Sequence, residues 1–269
     1  MTYSLEEIRV AAKREMFRAG PRMRLVMPHI SVRVTRWILN RDLAVTPNQV
    51  TVVSALLGLS SGLLLLPTGV LPAVAAFVAF QLHILTDYVD GELARVRHLE
   101  SVKGAYYDLM VGRLSKLVVL YLAGIGAWWY DRGSSGAALD LVLAAVIALG
   151  FVLDKEAVDV WYRANTGRTD IEDPYVVRSQ HALKGSRRVA VRTFVGLCSV
   201  PAFLVYQVIA AVLIALGVGP FDVFGIDLSP RSLILIWYAA ALPAVVIVRT
   251  VYIARTGHIP RRQDLVRDE

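Results

Sequence analysis

Six stretches of this chain contain no Asp, Glu, Lys or Arg: Val50–Leu66, Val70–Leu85, Leu117–Tyr130, Leu141–Leu153, Thr193–Phe221 and Ser232–Val248. No other feature limits the fold as tightly. A helix needs roughly 20 apolar residues to cross hydrocarbon, and several of these runs are shorter. Each one continues into a charged flank as a helix-compatible pattern, without a Pro or Gly break strong enough to stop it. The expectation is an all-α, polytopic membrane protein with six transmembrane helices, some projecting beyond one membrane face. Composition agrees, since 56% of the 269 residues are hydrophobic against about 45–50% in soluble domains. Mean hydropathy is +0.53. A large soluble helical core fits poorly with so many long uncharged runs.

The cations orient the chain. Lys and Arg number nine before Val50, five in 86–116, eight in 154–192 and five after Val248. Of the 29 in the chain, only Arg132 and Arg231 lie elsewhere, in the 131–140 and 222–231 connections. The positive-inside rule then puts both termini and the 86–116 and 154–192 segments in the cytoplasm of a plasma or inner membrane. Membrane lipids are expected partners, and nucleic acid is not.

Met1–Met27 is charged throughout and lacks the apolar centre of a signal peptide. Ser4 and Glu7 have capping-box spacing, and Leu5, Ile8, Ala12 and Met16 then share one helical face. That pattern predicts an N-terminal amphipathic interfacial helix, with a second at Ser31–Leu39. An ordinary solvated arm is the competing reading for residues 1–20. The chain divides into cytoplasmic or interfacial helices over 1–48, a membrane domain over 49–256 and a cytoplasmic tail over 257–269. Cys198 is the only cysteine, so no disulfide forms within the chain and a packing role is expected. There is no internal repeat, low-complexity tract or second soluble domain.

Between the second and third apolar runs the chain reads DYVDGELARVRHLESVKGAYYDLMVG, from Asp87 to Gly112. If the second helix runs on past Leu85, Asp87, Asp90, Gly91 and Ala94 fall at i, i+3, i+4 and i+7 on one face. If the third begins near Val102, Gly104, Asp108 and Gly112 also share a face at steps of four. The Arg97–Ser101 turn would make the two helices antiparallel neighbours, whose faces can meet. Three carboxylates crowded together repel one another and resist ionisation. At a membrane boundary such charges are expensive and mark a site with a partner. A hard divalent cation such as Mg2+ suits them, because it takes oxygen ligands and keeps room for phosphate oxygens. Gly91, Ala94 and Gly104 would let a ligand approach the helix backbones. Asp-x2-Asp alone, at a helix end, is more often a pair of solvated charges.

The longer pattern decides between these readings. It resembles the signature of the CDP-alcohol phosphotransferases (CDP-alcohol phosphatidyltransferases), Asp-x2-Asp-Gly-x2-Ala-Arg-x8-Gly-x3-Asp-x3-Asp. Asp87, Asp90, Gly91, Ala94, Arg95, Gly104 and Asp108 stand in register, and Gly112 replaces the last aspartate. Thr46-Pro-Asn-Gln-Val-Thr51, opening the first apolar run, is similar to the segment this family carries there. The resemblance implies a CDP-linked donor, CDP-diacylglycerol or a CDP-alcohol, bound at the cytoplasmic end of a helix bundle. An alcohol acceptor attacks the phosphorus carrying the lipid or alcohol, and CMP leaves. It implies two Mg2+ or Mn2+ ions clamping the pyrophosphate. Carried onto this chain, Asp87, Asp90 and Asp108 would be metal ligands. Gly91, Ala94, Arg95 and Gly104 would seat cytidine and phosphate, with Asn48 a further candidate. A homodimer is suggested by the same resemblance.

By this resemblance Gly112 stands where the family's last aspartate binds metal and accepts the acceptor's proton, which argues for weak or absent activity. Four readings stay open. The chain is an inactive relative that binds nucleotide or lipid; it is an active enzyme altered at one position; Glu100, Glu156 or Asp159 substitutes; or an already ionised acceptor needs no base. For the acceptor, Asp154, Lys155, Glu156, Asp159 and Arg163 end the fourth helix, and Lys184, Arg187, Arg188 and Arg192 precede the fifth. That lining would suit a polyol phosphate such as inositol phosphate or glycerol phosphate, although positive-inside charge at anionic headgroups explains the same residues. His83 is expected to be a packed, hydrogen-bonded core residue. Arg113 and Lys116 would neutralise donor phosphates or snorkel to the interface. A small transporter or channel would need broken helices and a polar midplane path, whereas here the acids cluster at one end. A non-catalytic binding module would share the fold and differ only in activity.

Overall fold

The structure, a computed structural model, describes Ser4, Ile8 and residues 23–166 and 197–256. Seven helices lie among the described residues: α1 (Met23–Asn40), α2 (Pro47–Leu63), α3 (Val70–Val96), α4 (Val102–Asp131), α5 (Ala137–Thr166), α6 (Val200–Ala215) and α7 (Pro230–Thr256). A hairpin of two three-residue strands, β1 (Phe221–Val223) and β2 (Ile226–Leu228), precedes α7. The all-α expectation holds apart from this hairpin. Phe224 and Gly225 both have positive φ at its turn, which matches the natural twist of paired strands.

Local chemistry fixes the helix boundaries. Thr46 caps α2: its hydroxyl accepts from Gln49 N–H at 3.4 Å, and Gln49 Oε1 accepts from Thr46 N–H at 2.9 Å. Pro47, in the first turn, lacks a donor the helix could not have used anyway. Ser101 starts α4 by accepting from Gly104 N–H at 3.0 Å, and Ser199 starts α6 by accepting from Ala202 N–H at 3.4 Å. Past α3, His98 takes a left-handed conformation, φ 54°, and turns the chain back toward α4.

Val70–Val96, Lys103–Asp131 and Pro230–Ile247 are long and apolar enough to cross a membrane, and Ala137–Leu153 and Val200–Ala215 are shorter apolar helices. Helix α2 belongs to neither group. Its 17 residues include Ser54, Gly58, Ser60, Ser61 and Gly62, and these small residues make it the packing centre. Lipid is as apolar as leucine, so close approach rather than apolar burial holds such helices together. A Cβ at Gly58 would land on the Ser115 side chain of α4, and one at Gly62 would come within 2.8 Å of Val118 Cγ1. On its other side α2 bonds to α3: Ser54 Oγ lies 2.8 Å from His83 Nδ1, and Ser61 Oγ donates to Ala76 O at 2.8 Å. His83 is buried and hydrogen-bonded in the core, as expected.

One sequence expectation changes as a result. Helices α3 and α4 are not packed on each other along their lengths; both pack on α2 instead. The glycines draw α2 against α4 while its serines hold α3, so α2 is the shared partner of both helices. Helix α6 packs on α3 and α7, and α5 on α4 and α7. Phe80, Leu120, Ile147, Phe203, Leu204, Leu235 and Tyr238 fill the shared core. Leu56, Leu71, Leu149 and Ile247 are exposed, an outward apolar surface that suits lipid.

A second core at the motif end joins Val32, Ile38 and Leu39 of α1, Val50 of α2, and Val89 and Leu93 of α3, with Ile8 packed among them. Ser31–Leu39 is helical, inside α1. Of the first 20 residues only Ser4 and Ile8 are described, so the Ser4–Glu7 capping box and the Leu5, Ala12 and Met16 face lie outside the described residues, as do Lys184, Arg187, Arg188, Arg192 and the 257–269 tail. At the far end, Asp227 N–H donates to Ser135 Oγ at 2.9 Å, and Ser232 Oγ to Asp131 Oδ2 at 3.0 Å. Cys198 is buried as a free thiol.

Candidate functional site

Helix α3 runs beyond its apolar stretch from Leu85 to Val96, roughly 16 Å further at 1.5 Å per residue. That extension carries Asp87, Asp90, Gly91, Ala94 and Arg95. Asp90 is buried, with 4% exposure, and Asp87, Gly91, Ala94 and Arg95 are half-buried. A buried carboxylate must have donors. Thr51, one turn inside α2, donates to Asp90 Oδ2 at 2.7 Å. The family-like segment Thr46–Thr51 thus contributes both the cap of α2 and a hydroxyl for the motif. Asn48 is exposed on the same first turn.

Helix α4 supplies the second half. Gly104 sits over the Ser101 cap, with Ser101 Oγ 3.0 Å from where its Cβ would be. Asp108 is half-buried and Gly112 is buried. The nearest atoms to a Cβ at Gly112 would be Lys116 Nζ at 3.8 Å and Asp87 Oδ1 at 3.9 Å. The two motif faces therefore approach each other at Asp87 and Gly112. One turn deeper, Gly58 of α2 stands between His83 and Ser115. The result is a space between α3 and α4 with α2 behind it.

Two residues that the sequence reading passed over shape this end of the bundle. Glu92, 1% exposed, accepts from Ser31 Oγ at 2.6 Å and Thr35 Oγ1 at 2.5 Å. It lies two residues past Asp90, so about 200° round the helix, and it fastens α1 to the back of α3. The signal was a carboxylate off the motif face, together with hydroxyls at i and i+4 in the α1 pattern. Arg97 donates to Leu43 O at 2.9 Å and also to Val45 O, pinning the α1–α2 connection against the end of α3.

The donor set decides what ion could fit. Among the described residues, no three His, Cys, Asp or Glu side chains gather as a metal-holding group. Mg2+ ordinarily keeps several waters and takes one or two carboxylates plus substrate phosphates. A pair drawn from Asp87, Asp90 and Asp108 has the chemistry for one such ion. A second would find no donor at Gly112 and would meet the Lys116 ammonium, so the residues present do not fit two. The backbone of 154–163 continues α5, while the side chains of Asp154, Lys155, Glu156, Asp159 and Arg163 lie outside the described residues. Glu100 is exposed in the turn before α4.

Residues 44–221 match a family described as CDP-alcohol phosphatidyltransferase. A protein of Thermococcus kodakarensis named bifunctional IPC transferase and DIPP synthase is 42% identical over 84 residues, which is 31% of this chain and 18% of that protein. A phosphatidylinositol phosphate synthase of Corynebacterium glutamicum is 38% identical over 104 residues, 37% of this chain and 45% of that protein. The matched stretches thus span less than half the length of either relative.

Proposed function

Because the chain belongs to the CDP-alcohol phosphatidyltransferase family, we propose that it binds a CDP-linked donor between α3 and α4 and transfers the phosphatidyl or phospho-alcohol group to an alcohol acceptor. The supporting observation is the approach of the two motif halves, with Asp87 Oδ1 3.9 Å from the Cβ position of Gly112. In the reaction, the acceptor hydroxyl oxygen forms a bond to the phosphorus carrying the lipid or alcohol. The P–O bond to CMP breaks, CMP keeps the electron pair, and the hydroxyl proton is released. Asp90, oriented by Thr51, together with Asp87 or Asp108 would hold one Mg2+ or Mn2+. Such an ion stabilises charge on the pyrophosphate oxygens when bound. Arg95 offers a planar, charge-assisted partner to a phosphate, and Gly91, Ala94 and Gly104 leave space for cytidine beside the backbones. Asn48, on the exposed first turn of α2, is the remaining candidate contact. The similarity to a phosphatidylinositol phosphate synthase favours a polyol-phosphate acceptor.

Six spans, with α2 as the sixth, and a cytoplasmic motif end belong to the same proposal. Their support is the distribution of Lys and Arg. A second reading is a relative that binds metal and cytidine nucleotide with little or no turnover. It is favoured by Gly112, which leaves no carboxylate on that turn of α4 to take the acceptor's proton. Thermal-shift titration of the purified protein with CMP, with and without EDTA, tests the binding that both readings share. Metal-dependent stabilisation that Asp90→Asn abolishes is the expected result, and no stabilisation by any cytidine nucleotide would rule both out. CMP release from CDP-diacylglycerol with a panel of polyol phosphates then separates them.

A further inference from the structure

Lys116 follows Gly112 by four residues, one helical turn along the same face of α4. Side chains on a helix lean toward its N-terminus, so residue i+4 covers the surface above residue i. Gly112 leaves that surface bare, and the Lys116 stem reaches back across it. Its ammonium lies 3.8 Å from the point a Cβ at 112 would occupy, and Asp87 Oδ1, from the facing helix, lies 3.9 Å from the same point. An ammonium and a carboxylate oxygen thus face the place where a motif side chain would begin. With glycine in place of the motif aspartate the local charge is more positive by one unit, in a place where both neighbouring side chains are half-buried and water screens weakly.

We infer that the Lys116 ammonium is a built-in cation of this site: it serves Asp87 as counter-ion, meets the donor's phosphate oxygens, and excludes a second divalent ion. The inference rests on the donor site proposed above. A divalent ion beside Asp87 would face a like charge a few ångströms away, with no carboxylate at 112 to offset it. Lysine can replace an ion in this role because it binds phosphate as a point charge and needs no fixed coordination geometry. The absent carboxylate and the reaching lysine then act together. Gly112 provides the room, and Lys116 fills it with positive charge.

The test counts bound Mn2+ per chain by electron paramagnetic resonance, with saturating CMP, on the purified full chain. The native chain is expected to bind one ion. Gly112→Asp should still bind one, since its carboxylate meets Lys116 first. Gly112→Asp combined with Lys116→Met should bind two. Lys116→Met alone should weaken CMP binding by about tenfold, the loss of one charge-assisted phosphate contact, and Lys116→Arg should keep most of it. Melting temperatures without ligand show whether each variant is folded, and Lys116→Gln replaces Lys116→Met if the latter is not. Two ions on the native chain or on Gly112→Asp would overturn the inference and leave the donor site standing. Unchanged CMP affinity in Lys116→Met overturns it as well. A native chain that binds neither Mn2+ nor CMP removes the donor site and the inference together.

Discussion

The Thr51 hydroxyl reaches the Asp90 carboxylate across 2.7 Å, so a motif acid on α3 is oriented by the first turns of α2. The same hydroxyl also lies 3.1 Å from Pro47 O, but the shorter contact is the charged one. Thr51→Val keeps the shape and removes the donor. Hydrogen bonds to charged groups contribute about 1.5–3 kcal/mol, so the variant should lose about that much stability in denaturant titration. Its metal-dependent CMP stabilisation should also weaken. Thr51→Ser should restore both, which would separate the lost donor from a packing defect.

Glu92 yields a prediction far from the chemistry. Ser31 and Thr35 are its partners at 2.6 and 2.5 Å, and all three residues are buried. Ser31→Ala combined with Thr35→Val leaves a buried carboxylate short of two donors, at a cost on the order of 3 kcal/mol or more. Glu92→Gln retains a hydrogen-bonding group and should cost less. Limited proteolysis in the 41–46 connection, followed alongside thermal unfolding, should show α1 releasing before the rest of the bundle melts.

Glycine substitutions should divide by position. A Cβ at Gly58 falls on the Ser115 side chain, whereas a Cβ at Gly112 finds nothing nearer than 3.8 Å. Gly58→Ala should therefore destabilise by about 1–3 kcal/mol through overpacking between α2 and α4. Gly112→Ala should be neutral or gain up to about 1 kcal/mol from helix propensity. Melting temperatures of the two variants in the same detergent test the contrast, and equal losses would contradict this account of α2.

These contrasts show what the sequence made legible. The motif spacing placed Asp87, Asp90, Gly91 and Ala94 on one face of α3 and Gly104, Asp108 and Gly112 on one face of α4, because helical periodicity alone determines both. It also located the Arg97–Ser101 turn and the start of α2. It did not show that α3 and α4 both pack on α2, because helix packing in a bundle depends on which small residues meet across space. Gly58 and Gly62 have a recognisable close-packing spacing, but their partners Ser115 and Val118 are more than 50 residues away. The role of Glu92 was hidden for a similar reason, since its donors sit on α1. Lys116 was visible as a cation near the site, but its reach across Gly112 depends on the approach of Asp87 from another helix.

Sidedness can be read by labelling. The far-end loop around Ser134 and the hairpin at Asp227 are joined through Ser135, and His98 lies in the turn at the other end of α4, a helix of 30 residues. That length separates the two ends by roughly 45 Å. In a Cys198→Ser background, single cysteines at 134 and 227 should react with an impermeant maleimide on intact cells. A cysteine at 98 should react only after the membrane is opened. The reverse pattern would put the motif away from cytosolic CDP-linked donors.

Gly112→Asp is the most direct probe of catalysis. The Cβ has room, and the carboxylate would enter the space between Asp87 Oδ1 and Lys116 Nζ, 3.9 and 3.8 Å from that carbon. A positioned general base typically contributes about 10²–10⁴-fold, so a scaffold intact except at this position should release CMP faster once the carboxylate is present. The single variant should realise only part of that gain, because its oxygens pair with the Lys116 ammonium before they can serve an incoming hydroxyl. Adding Lys116→Met frees the carboxylate and should raise the rate further, and Asp90→Asn should abolish both gains. If the native chain already turns over and Gly112→Asp slows it, the proton is taken elsewhere. Single replacements of Glu100, Glu156 and Asp159 would then show where: one of them should remove the native rate, and if none does, the acceptor enters already ionised and needs no base.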